Sequence, residues 1–178
     1  MPETRPEAGD VAAALSPDDP TTRLFLRHAL ATLAYRAGKA VREAPAEFGD
    51  FRAGPGSRTP REILAHMGDL MVWLLSQLRG VPAFSVAEPL PWEGEIQRFF
   101  RALQGVDEHL ASGAGIQYEP ERFFQGGLAD ALTHTGQLAM LRHLAGCKMK
   151  GESYNRADIR VGRVGFEQSP ANPTYEFD

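Results

Sequence analysis

Two ionisable residues one helical turn apart, Asp130 and His134, stand inside the stretch Gly127–Gly146, GLADALTHTGQLAMLRHLAG. Laid out at about 100° per residue, Phe123, Gly127, Ala131, Leu138, Leu141 and Ala145 share one side of a helix. His134 falls in the middle of that side and Asp130 on its shoulder. Burying the stripe takes an imidazole and a carboxylate out of water, which is costly unless both are paired or coordinated. Such a pair is what a helix offers a metal ion when two side chains must reach one point. Two ligands do not close a site, and His66, at the edge of an earlier apolar stripe beside Leu70 and Trp73, is the third candidate. Three protein ligands with an open position make a catalytic zinc site, and two imidazoles with one carboxylate also suit iron, nickel or manganese. The expected metal set is therefore His66, Asp130 and His134, with water or a substrate atom completing the sphere.

Plainer roles compete for the same residues. His134 could be a core histidine satisfied by a neighbouring acceptor, Asp130 an acceptor that orients His134, and His66 a half-solvated flank residue. His28, on a second face of the first helix, reads as structural or interfacial, with a fourth ligand as its alternative. Asp107 reads as a helix-end or partner-facing group, with joining the site as its alternative, and His109 and His143 read as solvated. Gln137 reads as a helix–helix contact first, with a hydrogen bond to a ligand or to a neighbouring loop as its alternative. Trp73 and Trp92 read as core first and pocket lining second, and Cys147 alone is weak support for a nucleophile.

Four amphipathic segments must position these groups. Asp19-Pro20 opens the first helix, with Leu26, Leu30, Leu33, Ala37 and Val41 at helical spacing to about Glu43. Leu24, His28, Ala31 and Tyr35 form its second face, which could serve a dimer. Thr59-Pro60-Arg61-Glu62 is a capping box that opens the second helix, and Gly80 with Pro82 stops it. The third runs from Trp92 to about Ala111. Glu119-Pro120 or Gln125-Gly126 opens the fourth, and Gly146 sits where a C′ glycine is expected. From Cys147 onward glycine and proline punctuate an extended tail with at most one short strand, around Asp158–Val164. The fold expected is all-α, an up-and-down four-helix bundle over 19–146, with an N-terminal arm over 1–18 and the tail over 147–178 packed on the bundle.

Composition narrows the partners. At 178 residues and 43% hydrophobic content the chain suits one domain. Its 19 basic and 23 acidic residues give a net charge of −4 without like-charge blocks, so neither nucleic acid nor membrane is an expected partner. No stretch reads as a signal peptide or a membrane span, which leads to a cytoplasmic expectation. The single Cys147 excludes an intrachain disulfide and any cysteine-cluster metal site.

With ILAHMGDL on the second helix and DALTHTGQLAMLRHLAG on the last, the chain resembles the DinB/YfiT-like superfamily of bacterial four-helix bundles, many of which bind a divalent metal. The resemblance covers roughly residues 20–146. Members place one histidine on the second helix, matched by His66, and an H-x-x-x-H pair on the last, whose second histidine is matched by His134. Asp130 replaces the first histidine of the pair, exchanging imidazole for carboxylate. Thr135 stands where arginine is common. The resemblance implies a metal-dependent enzyme acting on a small molecule, either a thiol S-transferase using a low-molecular-weight thiol such as mycothiol or bacillithiol, or a hydrolase. The competing reading is a non-catalytic bundle that binds a small molecule or a partner protein, its polar groups forming a buried hydrogen-bond network. A homodimer built on the first helix is compatible with either.

Overall fold

The computed structural model describes residues 15–178. The arm expected over 1–18 lies outside the described residues except for Leu15–Asp18. Four long helices make up the body: α1 (Pro20–Val41), α2 (Pro60–Leu78), α3 (Trp92–Ala111) and α5 (Ala129–Leu144). A single helical turn, α4 (Pro120–Phe123), precedes α5. α2 packs on α3, α1 lies against α3 and α5, and α5 also meets α2. Leu30, Leu33, Met67, Met71, Leu74, Phe99, Leu103 and Leu138 are buried in the shared core. Each such side chain contributes about 1.5–3 kcal/mol through its removal from water. The all-α class holds.

The helix starts are local chemistry. Asp19 accepts from the Thr22 amide at 2.7 Å, with Pro20 in the first turn. The capping box on α2 is complete: Thr59 Oγ1 accepts from the Glu62 amide at 3.2 Å, and Glu62 accepts from the Thr59 amide at 2.7 Å. α1 stops at Val41, two residues short of the sequence expectation, because Arg42 turns extended and Glu43 takes a positive φ of 57°. Gly146 has φ 77° and ends α5 as expected.

The fourth segment is broken rather than continuous. Pro120 opens it, a π-helical stretch Phe124–Leu128 interrupts it, and Gly126 leaves helical geometry at φ −87°, ψ −110°. A Cβ at Gly127 would lie 2.7 Å from Leu74 Cγ, so α2 approaches the backbone here more closely than any side chain permits. Both candidate start signals are thus real, one for α4 and one for the break before α5.

The tail differs from expectation in detail. Asp158–Val164 forms no strand; two two-residue strands, β1 (Gly151–Glu152) and β2 (Glu176–Phe177), pair antiparallel instead. Their anchor is a buried cluster. Glu152 accepts from the Tyr35 hydroxyl at 2.7 Å and from Lys39 Nζ at 2.8 Å, and Lys39 also bonds Glu176 at 2.8 Å. The tail therefore covers part of the second face of α1, where Tyr35 and Ala31 are buried while Leu24 and His28 stay exposed.

Candidate metal site

His66, Asp130 and His134 converge. Their ligand atoms all lie within 4.8 Å of one another. His66 Nε2 is 3.4 Å from one Asp130 oxygen, and His134 Nε2 is 3.3 Å from the other. The two imidazoles stand edge to face, ring centres 4.9 Å apart and planes at 86°. His134 is buried, 8% exposed, His66 is half-buried, and the Asp130 side chain is 45% exposed at the mouth. The set is closed behind by core and open in front.

Each of the three side chains has a local reason for its place. The π-helical break ends immediately before Ala129, so Asp130 falls in the first turn of α5 and His134 one turn on. Breaks of this kind re-aim side chains and recur at functional sites. His66 is fixed through its neighbours on α2: Arg98 on α3 bonds the Ala65 carbonyl and Asp69 at 2.8 Å each, and Glu95 at 2.8 Å. Asp69 and Glu95 are buried, so this charged knot locks the registry of α2 against α3 beside His66. Burial works against the charge of Arg98, yet its two carboxylate partners hold the guanidinium above its ordinary pKa.

Gln137 supplies the feature that most favours coordination. His134 Nδ1 lies 2.7 Å from Gln137 Oε1. An amide oxygen only accepts, so Nδ1 carries the proton and Nε2 keeps its lone pair facing Asp130 and His66. Backing a ligating imidazole with an acceptor on its far nitrogen is how metal sites fix tautomer and ring orientation. The His–Asp separations test the fit further. They exceed the usual 2.7–3.2 Å of a direct N–H···O bond. These two separations, to different oxygens of Asp130, lie near the edge of roughly 3.3 Å between ligand atoms set tetrahedrally about a zinc-sized ion at about 2.0–2.1 Å, while the spacing across the whole set reaches up to 4.8 Å. The donor set of two imidazoles and a carboxylate suits a divalent cation, and the described residues hold one such group.

Two surface clefts border the set. His66 lines one of about 620 Å³, with Arg52, Arg58 and Glu62 on its polar side and Phe84 and Val86 on the lip. Asp130 lines another, with Trp73, Leu70 and the Gly126–Gly127 backbone.

The remaining candidates fall elsewhere. His28 and His143 are exposed and outside the set. Asp107 is not a helix-end or partner-facing group: it is buried and takes a two-pronged ion pair from Arg27 at 2.9 and 3.0 Å, because α3 turns that side toward α1. His109 is not fully solvated either, since its Nε2 is closed off without a partner. Cys147 is half-buried at the end of α5, where its carbonyl accepts from Arg142 at 2.8 Å. Trp92 is core, and Trp73 is half-buried at the cleft wall. Sequence reasoning missed the Asp69–Glu95–Arg98 knot. The spacing of Glu95 and Arg98 was its only visible sign, because Asp69 meets them from another helix.

Comparison with family models, characterised proteins and solved structures finds no match to this chain. What the fold and site define is an all-α protein carrying a His/Asp/His group able to hold a metal ion. None of its described helices is long and apolar enough to cross a membrane.

Proposed function

We propose that the chain is a metal-dependent enzyme of the DinB/YfiT-like kind, an up-and-down four-helix bundle in which His66, Asp130 and His134 hold one divalent cation between α2 and α5. The observation that carries the reading is the convergence of two Nε2 atoms and a carboxylate within 4.8 Å, with Gln137 holding the proton of His134 on the far side. Zinc, nickel, iron and manganese all suit this donor set. A bound cation of this kind supplies Lewis acidity that lowers the pKa of a thiol or of water, the chemistry of a thiol S-transferase or a hydrolase.

The chain's own groups do the rest. Gln137 holds the His134 ring, and the Arg98 knot holds α2 so that His66 keeps its distance. The cleft at His66 suits a small organic substrate with an acidic group facing Arg52 and Arg58. The cleft at Asp130 offers the Trp73 ring to an apolar one, so thiol and substrate have separate places. A homodimer has Leu24 and Phe25 available on α1, since Ala31 and Tyr35 are already buried within the chain.

A second reading has one observation in its favour: both imidazoles lie 3.3–3.4 Å from Asp130 oxygens, where protonated rings would pair with the carboxylate without metal in a non-catalytic binding bundle. Assays separate the two. Thiol conjugation to a generic aryl halide and hydrolysis of a generic ester are measured with chelated and metal-loaded protein. The enzyme reading predicts turnover of one of them only when metal is loaded, and its loss in His134→Ala. Equal rates in chelated and loaded protein favour the network.

A further inference from the structure

A second pocket lies at the far end of α5. His134 and Arg142 are eight residues apart on that helix, which at the α-helical rise is about 12 Å, so the pocket is separate from the candidate metal site. It is a half-enclosed cavity of about 420 Å³ between the ends of α1 and α5 and the tail.

Its charge is unusual for a chain of net charge −4. Lys39 at its floor is neutralised by Glu152 and Glu176. Four further cations line it, Arg42, Arg142, Lys148 and Lys150, and none of them forms an ion pair among the described residues. Counting Glu43 at the rim and the surplus carboxylate beside Lys39, the walls keep a positive excess. Arg142 is only 5% exposed. It spends Nε on the Cys147 carbonyl and Nη1 on the Arg42 carbonyl, which fixes its fork in place. Arg42 folds back over Gly38, where a Cβ would sit 3.0 Å from Nη2, and its buried Nε has no partner. Arg42 as a whole is half-buried, and a buried donor left idle is costly unless something accepts from it. Tyr35, Met149 and Pro170 give the same pocket an apolar wall.

We infer that this pocket binds a small phosphate monoester, its oxyanion taken by Arg42, Arg142, Lys148 and Lys150 and its organic part laid against Tyr35 and Met149. A phosphate monoester carries close to two negative charges near neutral pH, matching the excess on the walls. Guanidinium forks present donors in the geometry its oxygens require.

The test is titration of the full chain with phenyl phosphate and with inorganic phosphate, followed by amide NMR shifts and by thermal shift, against sodium chloride at equal ionic strength. The expected result is saturable binding of phenyl phosphate, tighter than inorganic phosphate. Shifts should be confined to residues near 39–43 and 142–150, with at least a tenfold loss of affinity in a Lys148→Gln/Lys150→Gln double variant and in Arg42→Gln. The lysines are exposed, so the double variant tests the pocket even where Arg42→Gln loosens the fold. Binding must persist in His134→Ala, which separates this pocket from the candidate metal site. Shifts reproduced by chloride, an affinity unchanged in both variants, or binding lost in His134→Ala overturns the inference.

Discussion

Metal binding by His134 depends on which of its two ring nitrogens is free. Gln137 decides it, and replacing that amide by an apolar side chain leaves Nδ1–H without an acceptor and the ring free to turn. Gln137→Leu should weaken metal affinity about 10–100-fold with an unchanged circular dichroism spectrum, read by competition against a chromophoric chelator; wild-type affinity in that variant removes Gln137 from the site. The pair Asp130 and His134 was legible in the sequence because one helical turn separates them on a single face. His66 was legible only as an edge position, and Gln137 chiefly as a helix–helix contact, with its bond to His134 not foreseen. Side-chain direction between helices is not written in spacing, and for the same reason Asp107 was misread: nothing local announces that Arg27 waits across the α1–α3 contact.

Among the elements, starts and stops were the most legible features, since caps are chemistry between residues close in sequence. Thr59→Ala removes one half of a closed capping box and should cost about 1 kcal/mol, measured as a shift in the urea midpoint. The break before α5 was legible only as an ambiguity between two start signals. At the break Leu74 closes on Gly127, a contact between residues far apart in the chain. Gly127→Ala drives a methyl into that contact and should cost about 1–3 kcal/mol. Because the break sets where Asp130 emerges, the same variant should also bind metal more weakly than wild type. A stability loss with unaltered metal affinity would show that the break does not position the site.

For the molecule as a whole, the tail is held by a charged cluster that composition concealed. Its two short strands and Glu152 lie more than a hundred residues from Tyr35 and Lys39, and that separation is why the sequence offered only an extended segment. Its attachment should depend on pH from both sides. The hydrogen bond from Lys39 holds Glu176 below its usual carboxylate pKa. Its contribution is present above the usual carboxylate range and lost as pH falls through the depressed value. Burial opposes the charge on Lys39, but bonds to Glu152 and Glu176 outweigh it and raise its pKa. Burial, then the bond to Glu152, also pushes the Tyr35 hydroxyl up. Both contributions are present below the usual ammonium and phenol ranges and lost as pH rises through the raised values. Amide protection factors in residues 150–177, corrected for the intrinsic pH dependence of exchange, should therefore be highest near neutrality and fall at both extremes, while α2 and α3 remain protected; a flat profile would contradict the anchoring role.

The claim beneath all of this is that His66, Asp130 and His134 meet around one cation. Metal analysis of protein loaded with zinc, nickel, manganese or iron(II) and freed of excess tests it most directly, run beside His66→Ala, Asp130→Ala and His134→Ala. The account predicts stoichiometric metal on the native chain and its loss in each of the three variants with the helical content retained. A native chain that takes up none of these ions, or variants that hold them as well as the native chain does, would contradict it.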